Sequence, residues 1–177
     1  MASYATPAEY RAYLSKHSVT GKDEDAVIQR ALDSATETVT AHTYRSFDQA
    51  ENQTETFDVN YTEQFWIGDW ATITRVTPNV PFTRGRRYGS IAGRPYRFLV
   101  IDEVGEYTVE GTRGWPSVPN AIKNATIEIA AIRRGQIGLA YNVRGRSNEK
   151  PQSSELAIEL LLAELNAYVD VAARDHA

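Results

Sequence analysis

The chain has 177 residues, 42% of them hydrophobic, with a formal net charge of −4; this is enough to bury about two thirds of the surface its unfolded form exposes and predicts one compact body. It contains no cysteine, which excludes disulfides, thiolate metal ligands and thiol nucleophiles together. The net acidity argues against a conventional duplex-binding protein, whose footprint is clearly basic.

The total charge hides an alternation. Residues 1–83 carry 6 basic and 12 acidic side chains, residues 84–150 carry 12 and 6, and residues 151–177 carry 1 and 5. Such blocks can be neutralised within one subunit or can pair between neighbours. No apolar run follows Met1 and no stretch approaches membrane-spanning length, so neither a signal peptide nor a membrane association is expected. The N-x-[ST] sequons at Asn52, Asn60 and Asn124 then carry no weight.

In chain order, Thr6-Pro7-Ala8-Glu9 is a capping-box pattern with proline at the first helical position, which predicts a short helix carrying Tyr10, Tyr13 and Leu14. After a polar turn containing Gly21, the acidic run Asp23, Glu24 and Asp25 opens a long helix whose buried stripe is Ile28, Leu32, Ala35 and Val39 and which ends near Thr43. From Gln53 to about Val76 the period changes to short runs of aromatic and β-branched residues, read as strands, with Gly68-Asp69 as a turn between two of them. Residues 77–94 hold Pro78, Pro81, Gly85, Gly89 and Gly93 among Arg84, Arg86 and Arg87 without an apolar period and predict an exposed loop or extended arm. A strand pair follows, 96–101 and 107–110, turned near Gly105.

The most clearly delimited element is 111–134. Gly111 and Gly114 mark a turn, Trp115 before Pro116 is extended, Pro119 opens a helix, and Arg133, Arg134 and Gly135 close it. Ile122, Ala125, Ile129 and Ile132 form one apolar stripe widened by Ala121, Ala130 and Ala131, and Trp115 is placed to plug one end of the core. Residues 141–153 read as a polar linker. The last helix, 153–173, carries the broad apolar face Leu156, Leu160, Leu161, Leu165, Tyr168, Val169 and Ala172, which needs a partner either on the same chain or on another.

Catalytic chemistry is poorly represented. His17, His42 and His176 are too scattered for a local ligand set, no serine lies in a G-x-S-x-G frame, and the glycines of 85–93 form no phosphate-binding motif. No metal or cofactor is expected. Asp102, Glu103 and Glu106 are the carboxylates a hydrolase would use, but adjacent acids at a strand turn are ordinarily solvated. Arg84, Arg86 and Arg87, with Tyr88 beside them, suit a phosphate backbone or an acidic protein surface, or simply keep a loop soluble.

A long capped helix ending before Tyr44-Arg45-Ser46-Phe47, then Ile67-Gly68-Asp69 with Ile73 and Val76, Pro95-Tyr96, and Val109-Glu110-Gly111-Thr112-Arg113-Gly114-Trp115 with Val118-Pro119 and the alanines of 125–131 occur in an order that resembles the head-to-tail connector (adaptor) proteins of tailed phages. The resemblance covers about residues 23–135; residues 77–94 and 153–173 lie outside the part that matches. It implies an α+β fold, a helical bundle of long N-terminal, central and C-terminal helices with an inserted small antiparallel β region. Residues 1–140 would be the connector body and 141–177 a linker and partner-contacting helix. The implied function is a non-enzymatic virion protein at the head-tail junction, made in the host cytoplasm. It would form a ring, usually dodecameric, between the portal and the stopper or tail-completion protein, with double-stranded DNA passing through without sequence-specific binding. A different head-completion or tail-terminator protein is the alternative, and a carboxylate-dependent hydrolase a remote one. Expected intermolecular contacts are Arg84, Arg86, Arg87, Tyr88, Leu156, Leu160, Leu165 and Tyr168; expected structural core residues are Trp115, Pro119, Ile122, Ala125 and Ile129.

Overall fold

The computed structural model describes residues 2–16, 23–60, 64–85, 94–135 and 153–169. These form four α-helices and a five-stranded antiparallel sheet, an α+β fold. The chain divides into a helical unit, residues 1–45 with 119–177, and a sheet unit, residues 46–118, inserted between its two parts in sequence.

In the helical unit, α1 spans Pro7–Lys16 and α2 spans Asp25–Thr43. The capping box is present: the Glu9 N–H donates to Thr6 Oγ1 at 3.2 Å while the Thr6 N–H donates back to Glu9 Oε2 at 2.9 Å, so two orphan donors of the first turn are satisfied. The segment before α1 is tied to α2 by Tyr4, whose N–H donates to Thr36 Oγ1 at 3.1 Å and whose hydroxyl bonds Thr40 Oγ1 at 2.6 Å. Ile28, Leu32, Ala35 and Val39 are fully buried, as their spacing predicts. Each of the larger three contributes about 1.5–3 kcal/mol by leaving water. Helix α2 stops at Tyr44, a non-glycine residue in the left-handed region at φ 53°.

Helix α3, Asn120–Arg133, packs on α2. Pro119 is its N-cap, with extended backbone, rather than its first helical residue; the shift is one position and the missing N–H is still no loss. The predicted single stripe is too narrow, because every residue from Ala125 to Ala131 is buried while Ile132 is only partly so. A helix enclosed on several sides needs small residues where neighbours approach, and Ala130 and Ala131 supply them. Helix α4, Ser154–Ala163, packs on α3 and is shorter than the predicted 153–173. Its end tightens into i→i−3 bonds, Leu165 N–H to Leu162 O at 2.9 Å, leading into a short 3-10 turn at Asn166–Tyr168, a common way for the last turn to satisfy its carbonyls.

The sheet unit contains β1 Ala50–Val59, β2 Gln64–Thr77, β3 Thr83–Gly85, β4 Tyr96–Val100 and β5 Gly105–Arg113, in the order β1-β5-β2-β4-β3. Three sequence expectations change here. Gly68-Asp69 is not a turn between strands but a bulge inside β2: Trp66 pairs with Phe98 and Trp70 with Tyr96, so the bulged strand carries extra residues, and Gly68 takes φ +81° to accommodate them. The region 77–94 is not wholly loop, since Thr83–Gly85 pairs with β4. β4 and β5 are not partners of each other; β2, long and bent at its bulge, pairs with β4 through its first half and with β5 through its second. The core is Ile67, Trp70, Ile73, Val76, Leu99, Ile101, Tyr107 and Val109 with Val59.

Candidate assembly surfaces

The bulge in β2 positions a buried polar centre that the sequence reading missed. Asp69 Oδ1 lies 3.1 Å from Arg97 Nε, with both side chains about nine-tenths buried. Trp115 Nε1 donates to Asp69 Oδ2 at 3.2 Å, and the Gly114 N–H donates to the Asp69 carbonyl at 2.8 Å. The Arg97 guanidinium also sits 3.9 Å over the Trp66 ring, which meets Phe98 edge-on at 5.2 Å. Trp115 itself is buried and tilted against Phe47 at 5.2 Å. One carboxylate thus fixes strand β4, the bulge and the turn after β5. The available clue was Arg97 at an inward strand position two before Leu99 and four before Ile101.

On the edge of the same sheet Arg84 is exposed, its guanidinium 5.4 Å over Phe82 and 5.7 Å over Tyr96. Two aromatic faces hold its charge in place without neutralising it. Arg86, Arg87 and Tyr88 lie outside the described residues.

Helix α4 has two apolar faces. Ser153 caps it, accepting from the Leu156 N–H at 3.1 Å. Ala157, Leu161 and Leu165, four apart, are buried, whereas Leu156 and Leu160 remain 42% and 40% exposed. Leu165 therefore belongs to the packed interior of its unit, and Tyr168 is half-exposed. Of the remaining expected core residues, Ile122 and Ile129 are fully buried, Ala125 is buried and Pro119 is half-buried.

Much of the charge alternation is neutralised inside each unit. In the helical unit Lys123 Nζ reaches Glu9 Oε1 at 2.6 Å and Arg134 reaches Asp23 at 2.9 Å; Arg11 pairs with Asp25. The Lys123 hydrogen bond holds the Glu9 carboxyl below its ordinary pKa, against a smaller opposing effect of burial. Tyr13 donates to the largely buried Glu128 at 2.5 Å, and Arg133 clamps α2 through Ser34 and Thr38. Burial pushes the Tyr10 hydroxyl up to about 12. In the sheet unit Arg113 pairs with Glu55 at 3.0 Å, and Arg75 lies 3.9 Å from Glu110. Arg84, Glu51 and Asp58 have no ion-pair partner among the described residues.

Asp102, Glu103 and Glu106 are exposed around the β4–β5 connection. The polar depression lined by Asn52, Gln53, Thr54, Thr74, Glu110, Gly111 and Thr112 contains none of them. Among the described residues no cluster of His, Cys, Asp and Glu is arranged to hold a metal, and no helix is long and apolar enough to cross a membrane.

No protein-family model matches the chain, and no curated protein matches its sequence. Its fold is similar to that of a chain in a solved structure described as the neck of an empty GTA particle computed with C6 symmetry. The identity is 15%, the TM-score 0.50, and the alignment covers 93% of this chain and 88% of that one.

Proposed function

We propose that the protein is a non-enzymatic structural component of the neck of a tailed-phage-like particle. In this reading copies form a ring between the portal and the stopper or tail-completion protein and extend the channel through which double-stranded DNA passes. The observation that carries the proposal is the fold similarity over 93% of the chain to a particle-neck protein. It is supported independently by the ordered connector-like motifs between residues 23 and 135. A sixfold axis is stated for that particle's neck, and a dodecamer is compatible with it. A tail-terminator role would use the same scaffold on the tail tube instead.

Within this reading Arg84, with Arg86, Arg87 and Tyr88 following it, and the Leu156 and Leu160 face of α4 make the intermolecular contacts. Exposed leucines four apart on a helix whose adjoining stripe, Ala157 and Leu161, is already packed are what a second protein would cover. The test replaces both with serine. Leu156→Ser/Leu160→Ser is expected to lose about 1–2 kcal/mol per site, because each side chain is a little under half exposed and serine is the weaker helix former, leaving the fold intact while weakening portal binding or ring formation. Wild-type assembly and wild-type portal binding in this variant would remove α4 from the account.

A further inference from the structure

Helix α4 carries its charges in an arrangement that is locally unfavourable. Glu155 in the first turn suits the helix N-terminus, but Glu159 follows it at i+4 as a like-charged pair, and Glu164 occupies the C-cap, where the carbonyl end repels a carboxylate. No lysine or arginine lies on the helix, or anywhere in residues 151–173, to offset them. All three glutamates are exposed and have no ion-pair partner among the described residues, whereas Glu9, Asp23 and Asp25 of the same unit each face a cation. The turn of the helix places Glu155 and Glu159 along one side of an exposed strip, Leu156, Leu160 and Ala163, and Glu164 along the other. The strip falls at i, i+4 and i+7, the spacing with which an amphipathic helix anchors in an apolar groove.

We infer that this face of α4 docks in an apolar groove rimmed by lysine or arginine on a different protein of the particle, with the leucines on the groove floor and the glutamates against its rims. The inference rests on the neck reading and supplies the chemistry of a partner that reading leaves open. Two observations select the occupant. A basic rim relieves both the Glu155–Glu159 repulsion and the charge at the C-cap, whereas a neutral or acidic surface would desolvate these carboxylates without compensation. A second copy offers no such rim among the described residues, where no helix or strand presents two basic side chains lacking an acidic or aromatic partner. Arg11, Lys123 and Arg134 in the helical unit and Arg75, Arg97 and Arg113 in the sheet unit lie against carboxylates, and Arg84 lies over two rings. Lys16, Arg30 and Arg133 stand singly on α1, α2 and α3; Arg133 is committed to Ser34 and Thr38, and Arg30 shares the exposed side of its helix with Asp33 and Glu37.

The test compares the full-length chain with Glu155→Gln/Glu159→Gln/Glu164→Gln. Glutamine forms helix about as well as glutamate and removes the repulsion, so the thermal midpoint is expected at or above that of wild type; a lower one would show that the glutamates are paired within the chain and would overturn the inference. Binding to the portal and to the stopper protein of the same particle is measured at about 50 mM and about 500 mM NaCl, and rings are followed by electron microscopy. Wild type is expected to bind one of the two more weakly at high salt. The triple variant is expected to bind that protein about tenfold more weakly at low salt, the size of effect three rim ion pairs supply, with little salt dependence and with rings as in wild type. A triple variant that binds both proteins as wild type does would overturn the basic rim and leave the neck reading standing. So would one that loses rings but keeps its partners, because a second copy would then be what covers α4. A wild-type chain that forms no ring and binds neither protein would overturn both.

Discussion

Asp69 and Arg97 form a buried ion pair, 3.1 Å between Oδ1 and Nε, on adjacent strands of the sheet. Taking both charges out of water is expensive, and the attraction between them offsets that cost only with further hydrogen bonds. Here the second carboxylate oxygen accepts from Trp115. Removing one partner strands the other, so Asp69→Ala is expected to lose about 3–5 kcal/mol of stability. The double variant Asp69→Ala/Arg97→Met is expected to lose less than the sum of the two single changes. Urea or guanidinium unfolding of the four proteins checks this, and strict additivity would show that the pair is not coupled.

Trp115 separates packing from hydrogen bonding. Trp115→Ala removes a buried ring from Phe47 and is expected to cost about 3–5 kcal/mol. Trp115→Phe keeps an aromatic ring in place but loses the N–H to the Asp69 carboxylate, for an expected loss of about 1.5–3 kcal/mol. A Phe variant as unstable as the Ala variant would mean that the hydrogen bond, not the ring, dominates.

Gly114 has φ +94°, and a Cβ there would lie 1.8 Å from the Asp48 carbonyl oxygen. Neither the backbone angle nor a neighbouring main chain can yield cheaply. Gly114→Ala is expected to destabilise by at least about 2 kcal/mol, combining left-handed strain with overpacking. A shift in thermal midpoint too small to measure would show that the turn relaxes.

Tyr10 gives a pH dependence. Its folded hydroxyl is pushed up to about 12 from an ordinary value of 10.0, chiefly by burial. Below pH 10 both states are protonated and stability is unaffected. Between pH 10 and about 12 the unfolded chain loses the proton first, so this residue's contribution falls by up to about 1.4 kcal/mol per pH unit. Tyr10→Phe should flatten the alkaline loss relative to wild type in unfolding curves taken across that window. Parallel pH profiles for the two proteins would contradict it.

The parts of the fold legible in the sequence are those set by local chemistry. Thr6 and Glu9 announce the first helix because their reciprocal bonds span three residues, and the stripe of α2 is a repeat that needs no knowledge of its partner. What was hidden depends on non-local pairing. A positive-φ glycine followed by aspartate has the same signature in a turn and in a bulge, so nothing local at Gly68 told that β2 continues through it. The interposition of β2 between β4 and β5 is likewise invisible, because the short connection near Gly105 resembles that of a hairpin. At the candidate surfaces, the exposure of Leu156 and Leu160 beside the burial of Leu165 follows from where α3 lies, which the apolar pattern of α4 alone does not specify. Arg97 was readable as a charge at an inward position, but its partner Asp69 was concealed by the turn assignment.

The central claim is that copies of this chain assemble into a neck ring. Electron microscopy of the full-length protein, alone and mixed with the portal of the same particle, tests it most directly. Annular particles with a central channel and a copy number compatible with sixfold symmetry are expected in at least one of the two samples; the absence of any ring in both would contradict ring assembly.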